Sequence, residues 1–264
     1  MNFSLKILGT ASAMPISDRN PSAQALSVHG RLFLIDCGEG AQQQFRRMHL
    51  SFLKVEAVFL SHIHGDHVFG LFGMLSTMAM YGRTQELHIY APQSFGGILK
   101  FFLNYFGEGV NYEIVHHPLN MKEPETVHVS KCVKVTAFPL RHKIDCYGFR
   151  FDEIRSVRQL EKAPAVSYAY CSDTAPFAEL PEWVRGVDIL YHEATYRQDM
   201  KDKAEFRYHS TTEDAANCAL QAGASKLLVG HYSSRISDFE AYLAECRNLF
   251  PETYAVNDGD VIDF

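Results

Sequence analysis

The chain has 264 residues, 47% of them hydrophobic and 12% aromatic, enough to bury a sizeable core and too apolar for long disorder. Its formal charge of −6 argues against indiscriminate nucleic-acid binding, although divalent cations held in one place would reverse the local field. The N-terminus lacks a basic segment leading to an apolar one, and no run approaches membrane-spanning length, so no membrane partner is expected and the expected location is cytoplasmic.

Residues 1–8 read as a strand, with its apolar part at 5–8, followed by Gly9-Thr10-Ala11-Ser12 and a polar loop as far as Asn20-Pro21-Ser22. Segments 25–28 and 31–35, separated by His29-Gly30, predict a hairpin. Asp36-Cys37-Gly38-Glu39-Gly40 ends that hairpin and leads into a helix at 41–48, and Asp36 is a candidate to support a metal ligand from behind. An apolar run at 55–60 predicts a strand that stops at Ser61-His62-Ile63-His64-Gly65-Asp66-His67. A helix is expected at 70–80, a strand at 87–90, a helix at 95–105 and a strand at 112–115. Strands follow at 133–139, 147–151, 166–171, 187–191 and 226–230, with helices near 176–184 and at 211–222 and 237–249. Thr211 stands three residues ahead of Asp214, as in a capping arrangement, and Gly223 closes that helix. No repeat or linker interrupts the pattern, which predicts a single α/β domain over 1–264. The six cysteines form no CxxC pair and four lie in apolar or helical patterns, so buried thiols in a reducing compartment are expected.

The segment from His62 to His67 places three imidazoles and a carboxylate in six positions at the end of a strand, where a turn can aim several side chains at one point. Neutral imidazole and ionised carboxylate are ligands for zinc and related transition metals. A surface loop rich in histidine is the bland alternative, and a pair of histidines alone would not displace it. Three later strands repeat the design, ending at His142, Asp173 and His231. Seven candidate ligands at strand exits are enough for two metal ions, with Asp173 as the bridge because a carboxylate has two oxygens. Two metals about 4 Å apart can activate water and clamp the oxygens of a phosphoryl group.

This series, His62, His64, Asp66, His67, His142, Asp173 and His231, resembles the ligand set of the metallo-β-lactamase fold superfamily across the whole chain. Further segments resemble the ribonuclease Z family, endonucleases that trim tRNA 3′ trailers: Leu8-Gly9-Thr10, residues 36–42, Cys171-Ser172-Asp173-Thr174, His192-Glu193-Ala194-Thr195, His209-Ser210-Thr211 and Gly230-His231-Tyr232-Ser233-Ser234-Arg235. The resemblance implies a four-layer αββα sandwich and a homodimer acting on precursor tRNA. It implies two Zn2+ per chain, one on His62, His64, His142 and Asp173, the other on Asp66, His67, His231 and Asp173. Mn2+ and Fe2+ suit the same ligand types. Asp66, Glu193 and His209 correspond to the family's proton-handling residues. Without the resemblance, Glu193 reads as a helix-start carboxylate and His209 as a surface histidine.

One departure stands out. The interval between His142 and Asp173 usually holds a protruding arm that grips tRNA, and here two expected strands take most of it. The remainder carries Arg150, Arg155, Arg158 and Lys162 against Asp152, Glu153 and Glu161, barely basic in sum. The metal site is intact, so catalysis is expected, whereas selection of a whole tRNA would suffer. A small-molecule hydrolase acting on a cyclic nucleotide, thioester or lactone is therefore the alternative. A non-catalytic binding subunit is disfavoured because every expected ligand is present.

Overall fold

The strand-forming runs assemble into two mixed sheets in a computed structural model that describes residues 3–161 and 163–264; Met1, Asn2 and Lys162 lie outside the described residues. The chain divides into two compact units, Met1–Asn120 with Asn257–Phe264, and Met121–Val256.

In the first unit the strands are β1 (Phe3–Gly9), β2 (Ala23–Val28), β3 (Arg31–Cys37), β4 (Val55–Phe59), β5 (Leu87–Pro92) and β6 (Ile114–Leu119). They lie side by side in that order, and the C-terminal strand Val261–Asp263 pairs with the free side of β1. The β2–β3 hairpin closes through His29 and Gly30, both at positive φ (49° and 83°), as a two-residue turn matched to strand twist requires. From β3 to β6 the pairing is parallel. Helices α1 (Ala41–Arg47), α2 (Gly65–Met80) and α3 (Phe95–Phe106) bury Phe45, Leu71, Leu75 and Phe95 against Leu34, Val58 and Ile89. The alternate strand residues Phe33, Ile35 and Phe59 are buried as well, so both sheet faces are covered, as parallel strands require.

In the second unit the order is reversed in sense: β7 (Glu125–Val129), β8 (Val133–Pro139) and β9 (Tyr147–Glu153) run antiparallel up to β10 (Ser167–Cys171). The strands β10, β11 (Ile189–Glu193), β12 (Lys226–Gly230) and β13 (Thr253–Ala255) are then mutually parallel. Besides the short α4 (Val157–Leu160), this unit carries α5 (Leu180–Trp183), α6 (Lys201–Arg207), α7 (Thr212–Ala222) and α8 (Phe239–Leu249). The core beneath α5, α7 and α8 includes Leu180, Ala215, Ala219, Tyr242, Leu190 and Val229. Thr211 caps α7 by accepting from the Asp214 amide, and Gly223 ends it at φ 65°.

The architecture is the expected α/β arrangement of two sheets flanked by helices. Several local expectations need correction. Helix α2 begins at Gly65, not residue 70, so Asp66 and His67 stand in its first turn, where the helix dipole favours a carboxylate. Strand β6 is displaced toward the C-terminus relative to 112–115. The helix expected at 176–184 shrinks to α5, beyond Pro176. The strands β7, β13 and Val261–Asp263 were not expected, nor were α4 and α6, because each is too short, at three to seven residues, to show a periodic apolar pattern. All six cysteines are free and buried. Among the described residues no helix is long and apolar enough to cross a membrane.

Candidate metal and catalytic centre

In each unit most candidate residues leave the C-terminal ends of parallel strands, the edge at which open α/β sheets collect their ligands; the exceptions are His142, which follows the antiparallel β8, and His209, between α6 and α7. In the first unit β4 delivers Ser61 and His62, and the N-terminal turn of α2 delivers Asp66 and His67. His62 and His67 are fully buried, with ring centroids 4.1 Å apart. His62 Nε2 and His64 Nδ1 come within 2.9 Å of each other. Asp66 Oδ2 accepts from the Ala13 amide at 2.8 Å and lies 3.5 Å from His67 Nε2.

Behind these side chains stands Asp36, fully buried at the end of β3 with φ 51°. Its Oδ1 accepts from the Ser61 amide (2.7 Å), and its Oδ2 accepts from the Ser61 hydroxyl (2.8 Å) and from His67 Nδ1 (2.7 Å). Because the Ser61 proton goes to Asp36, the Ser61 oxygen accepts from His62 Nδ1 at 2.9 Å. One carboxylate thus sets the tautomer of two imidazoles, directly for His67 and through a hydroxyl for His62, placing the ligand lone pair on Nε2 in both. Gly38 and Gly70 permit the packing that holds this arrangement. A Cβ on Gly38 would lie 2.3 Å from the Asp66 carbonyl oxygen, and one on Gly70 would lie 2.0 Å from the Gly38 carbonyl oxygen. The start of α2 is therefore pressed backbone to backbone against the 36–40 loop.

In the second unit Asp173, His231 and Glu193 follow or end β10, β12 and β11, and His142 follows β8. His142 Nε2 is 3.8 Å from Asp173 Oδ2, and His231 Nε2 is 3.1 Å from Asp173 Oδ1. The two carboxylate oxygens of Asp173 therefore face different histidines. His142 Nδ1 donates to the Tyr208 carbonyl oxygen at 3.0 Å. Burial lowers the pKa of His142 below the ordinary histidine value, which favours the neutral ring a metal needs. Asp173, His209 and His231 also group within 4.8 Å by their ligand atoms.

Glu193 is fully buried and repeats the role of Asp36. Its Oε1 accepts from the Thr174 amide (3.0 Å) and from His209 Nδ1 (2.7 Å), and its Oε2 from the Thr195 amide (3.0 Å) and hydroxyl (2.6 Å). The Thr195 oxygen in turn accepts from His231 Nδ1 at 2.8 Å. Burial alone would raise the Glu193 pKa, but the charge and hydrogen bond of His209 outweigh it and hold the carboxyl below its usual value. Three of the site residues, Asp36, Asp173 and His231, have left-handed backbones (φ 51°, 64° and 60°), as does Tyr208 at φ 60°. Side chains without glycine's freedom occupy that region at a cost of about 1–2 kcal/mol each, a pattern associated with functional sites.

Every candidate from the sequence falls into one of these two groups. Residues not singled out there also position them: Ser61 and Thr195 as hydroxyl relays, Ala13 on Asp66, and the Tyr208 carbonyl on His142. Thr195 carried a signal, two residues beyond Glu193 on a strand end. Ala13 and Tyr208 act through backbone atoms, which no side-chain pattern reveals.

The donor chemistry fits divalent transition metals. Besides two carboxylates there are five imidazoles, and on four of them, His62, His67, His142 and His231, the second nitrogen is already engaged by a carboxylate, hydroxyl or carbonyl.

Comparison with known proteins gives a consistent match. The family model described as beta-lactamase superfamily domain covers residues 31–232. Ribonuclease Z of Porphyromonas gingivalis is 36% identical over 300 aligned positions, covering 99% of this chain and 99% of that protein. Ribonuclease Z of Bacteroides thetaiotaomicron is 37% identical over 290 positions, covering 95% of this chain and 92% of that protein. These alignments are longer than the 264-residue chain, so the relatives carry residues that it lacks. The crystal structure of human tRNase Z, short form, superposes with a TM-score of 0.84 over 98% of each chain at 26% identity.

Proposed function

The chain belongs to the ribonuclease Z family of the metallo-β-lactamase fold, and from that premise we propose that it removes 3′ trailers from precursor tRNA at a two-zinc centre. It is a metal-dependent hydrolase of the endoribonuclease kind. The observation that carries the reading furthest is the buried Glu193 holding His209 by one oxygen and, through Thr195, His231 by the other. A purely structural metal site has no use for an oriented histidine beside its ligands.

In this proposal His62, His64, His142 and Asp173 hold one Zn2+, and Asp66, His67, His231 and Asp173 the other, within one functional domain spanning 1–264. When bound, the metals supply Lewis-acid stabilisation of the phosphoryl oxygens and lower the pKa of the attacking water. Mn2+ or Fe2+ would suit the same donors. Asp66, oriented by the Ala13 amide, receives the proton of the attacking water on its carboxylate. His209 shares its Nδ1 proton with Glu193 and delivers a proton from Nε2 to the departing 3′ oxygen. Glu193 is a positioning residue in this scheme, because it acts through His209 and His231.

We further propose a homodimer joined through the exposed apolar face of α2 and α3, where Phe69, Met80, Phe101, Tyr105 and Phe106 reach solvent beside a groove of about 480 Å³. Sedimentation at micromolar concentration checks this; a monomer only would exclude it. A cytoplasmic location belongs to the same proposal and agrees with six free thiols.

The deciding experiment is cleavage of a precursor tRNA bearing a 3′ trailer, alongside a small chromogenic phosphodiester, by zinc-loaded protein and its Asp66→Ala variant. Cleavage of the RNA after the discriminator base, reduced about 10²–10⁴-fold in the variant, is expected. Turnover of the small diester alone would assign the chain to small-molecule hydrolysis instead.

A further inference from the structure

A substrate as large as tRNA needs more surface than the centre itself. In the charged segment around β9, two of the cations are paired: Arg150 is bonded to Asp152 and to the Arg185 carbonyl, and Arg155 to Glu153, while Lys162 and the Arg158 side chain lie outside the described residues.

The segment leading into His209 is different. On α6, Lys203, Phe206 and Arg207 are spaced i, i+3 and i+4, and so share one face of the helix. Phe206 is 72% exposed, a large exposure for a phenylalanine. Two cations flank its ring: Lys143 Nζ at 5.7 Å from the centroid and the Arg207 guanidinium at 5.6 Å. Lys203 lies 5.6 Å from the ring of Tyr196, which itself meets His209 edge-on with centroids 6.1 Å apart. Burial and the facing guanidinium groups of Arg235 and Arg207 lower the Lys203 pKa, which places these three cations close together.

Among the described residues none of Lys143, Lys203, Arg207 and Arg235 forms an ion pair. Of the acids nearby, Glu205 pairs with Lys201 and Glu245 with Arg197, and the field of Arg197 is also met by Asp199 and Asp238. Asp199 and Asp238 line the small cavity that also holds Arg235, and Asp202 lies in the first turn of α6. In a chain of net charge −6, four cations that form no ion pair, gathered around two aromatic rings, are a local exception. The patch is continuous with the centre, since Lys143 follows His142, Arg207 is two residues from His209, and His142 is bonded to the Tyr208 carbonyl.

We propose that Lys143, Lys203, Phe206 and Arg207 form an RNA-holding surface beside His209, on which an unpaired base stacks against Phe206 while the cations take the flanking phosphates. Interleaved aromatic and basic side chains are the arrangement that single-stranded nucleic acid requires, because every base has a face to stack and every linkage a charge to meet. The proposal rests on the endoribonuclease reading and adds the contacts that present the substrate to it. No proton or bond changes hands on this surface; its effect is on binding.

The test compares wild type with Phe206→Ala, Phe206→Trp and the double variant Lys203→Ala/Arg207→Ala. Precursor RNA with a 3′ trailer and a small chromogenic phosphodiester are the two substrates, and RNA affinity is followed against salt. The RNA-to-diester ratio of kcat/KM should fall about tenfold for Phe206→Ala through KM, with recovery in Phe206→Trp. The double variant should flatten the slope of log affinity against log salt by about 1.5 to 2. If wild type cuts the RNA and the variants match it in KM and salt slope, the surface is wrong and the endoribonuclease reading stands. If wild type turns over the diester but neither binds nor cuts the RNA, both readings fall.

Discussion

In the first unit a buried carboxylate, Asp36, holds His67 directly and His62 through the hydroxyl of Ser61; in the second, Glu193 holds His209 directly and His231 through Thr195. Carboxylate, hydroxyl and two imidazoles recur in the same connectivity. Each carboxylate is the terminal or next-to-last residue of a strand on the parallel side of its sheet. The units differ in what the second imidazole is for. His62 and His67 are both candidate ligands, whereas in the second unit only His231 is, and His209 is the proposed proton donor. In this proposal the same scaffold orients two candidate metal ligands in the first unit and one candidate ligand plus the proposed acid in the second. A second difference is distance along the chain: Ser61, His62 and His67 are neighbours in sequence, while Thr195, His209 and His231 come from separate elements.

The sharpest test of that difference is the pair Asp36→Asn and Glu193→Gln. Asp36→Asn is expected to weaken metal retention about 10–100-fold, with RNA cleavage recovering when zinc is added. Glu193→Gln should lower kcat by about 10²-fold or more even at saturating zinc, because His209 loses its orientation as well. Metal titration with kcat measured at each point separates them; full rescue of both would mean that the units do the same job.

The packing behind the first device is the next target. Gly70→Ala drives a methyl into the Gly38 carbonyl and is expected to cost about 1–3 kcal/mol, a lowering of thermal midpoint by several degrees in a melt. An unchanged midpoint would show that the start of α2 can shift without loss. A smaller effect, about tenfold in metal affinity measured by chelator competition, is expected for each of Ser61→Ala and Thr195→Val. If only one of them matters, the hydroxyl relays are not equivalent and the parallel between the units fails.

The smallest effect concerns backbone strain. Tyr208→Gly keeps the carbonyl that receives His142 Nδ1 and relieves a left-handed φ of 60°, so a gain of roughly 0.5–1 kcal/mol in thermal stability is expected. Loss of stability would mean that the half-exposed Tyr208 ring contributes more than the strain costs.

The strands that carry the site were legible because each is an apolar run ending abruptly at a histidine or aspartate, a pattern contained within a few residues. The 211–222 helix was legible from Thr211, Asp214 and Gly223, whose capping roles are also local. The true start of α2 was not, because Gly65 and the dense cluster around it read as a turn, and only the close approach of the Asp66 backbone to Gly38 accompanies the earlier first turn. Helix α6 escaped notice because its charged composition lacks an apolar stripe, although one face of it borders His209. Asp36 was anticipated as a support, but its partners Ser61 and His67 lie 25 and 31 residues away and were not assigned to it.

What the sequence determined by itself is therefore the inventory: which residues can ligate, at which strand ends they sit, and to which family the pattern belongs. Tertiary structure decided which nitrogen of His62, His67, His142, His209 and His231 carries the proton, which hydroxyl relays it and which cations stand without an ion pair. The physical reason is that periodicity and turn chemistry act over a few residues, whereas a tautomer or a local field is set by groups that only strand order brings within 3 Å to 6 Å.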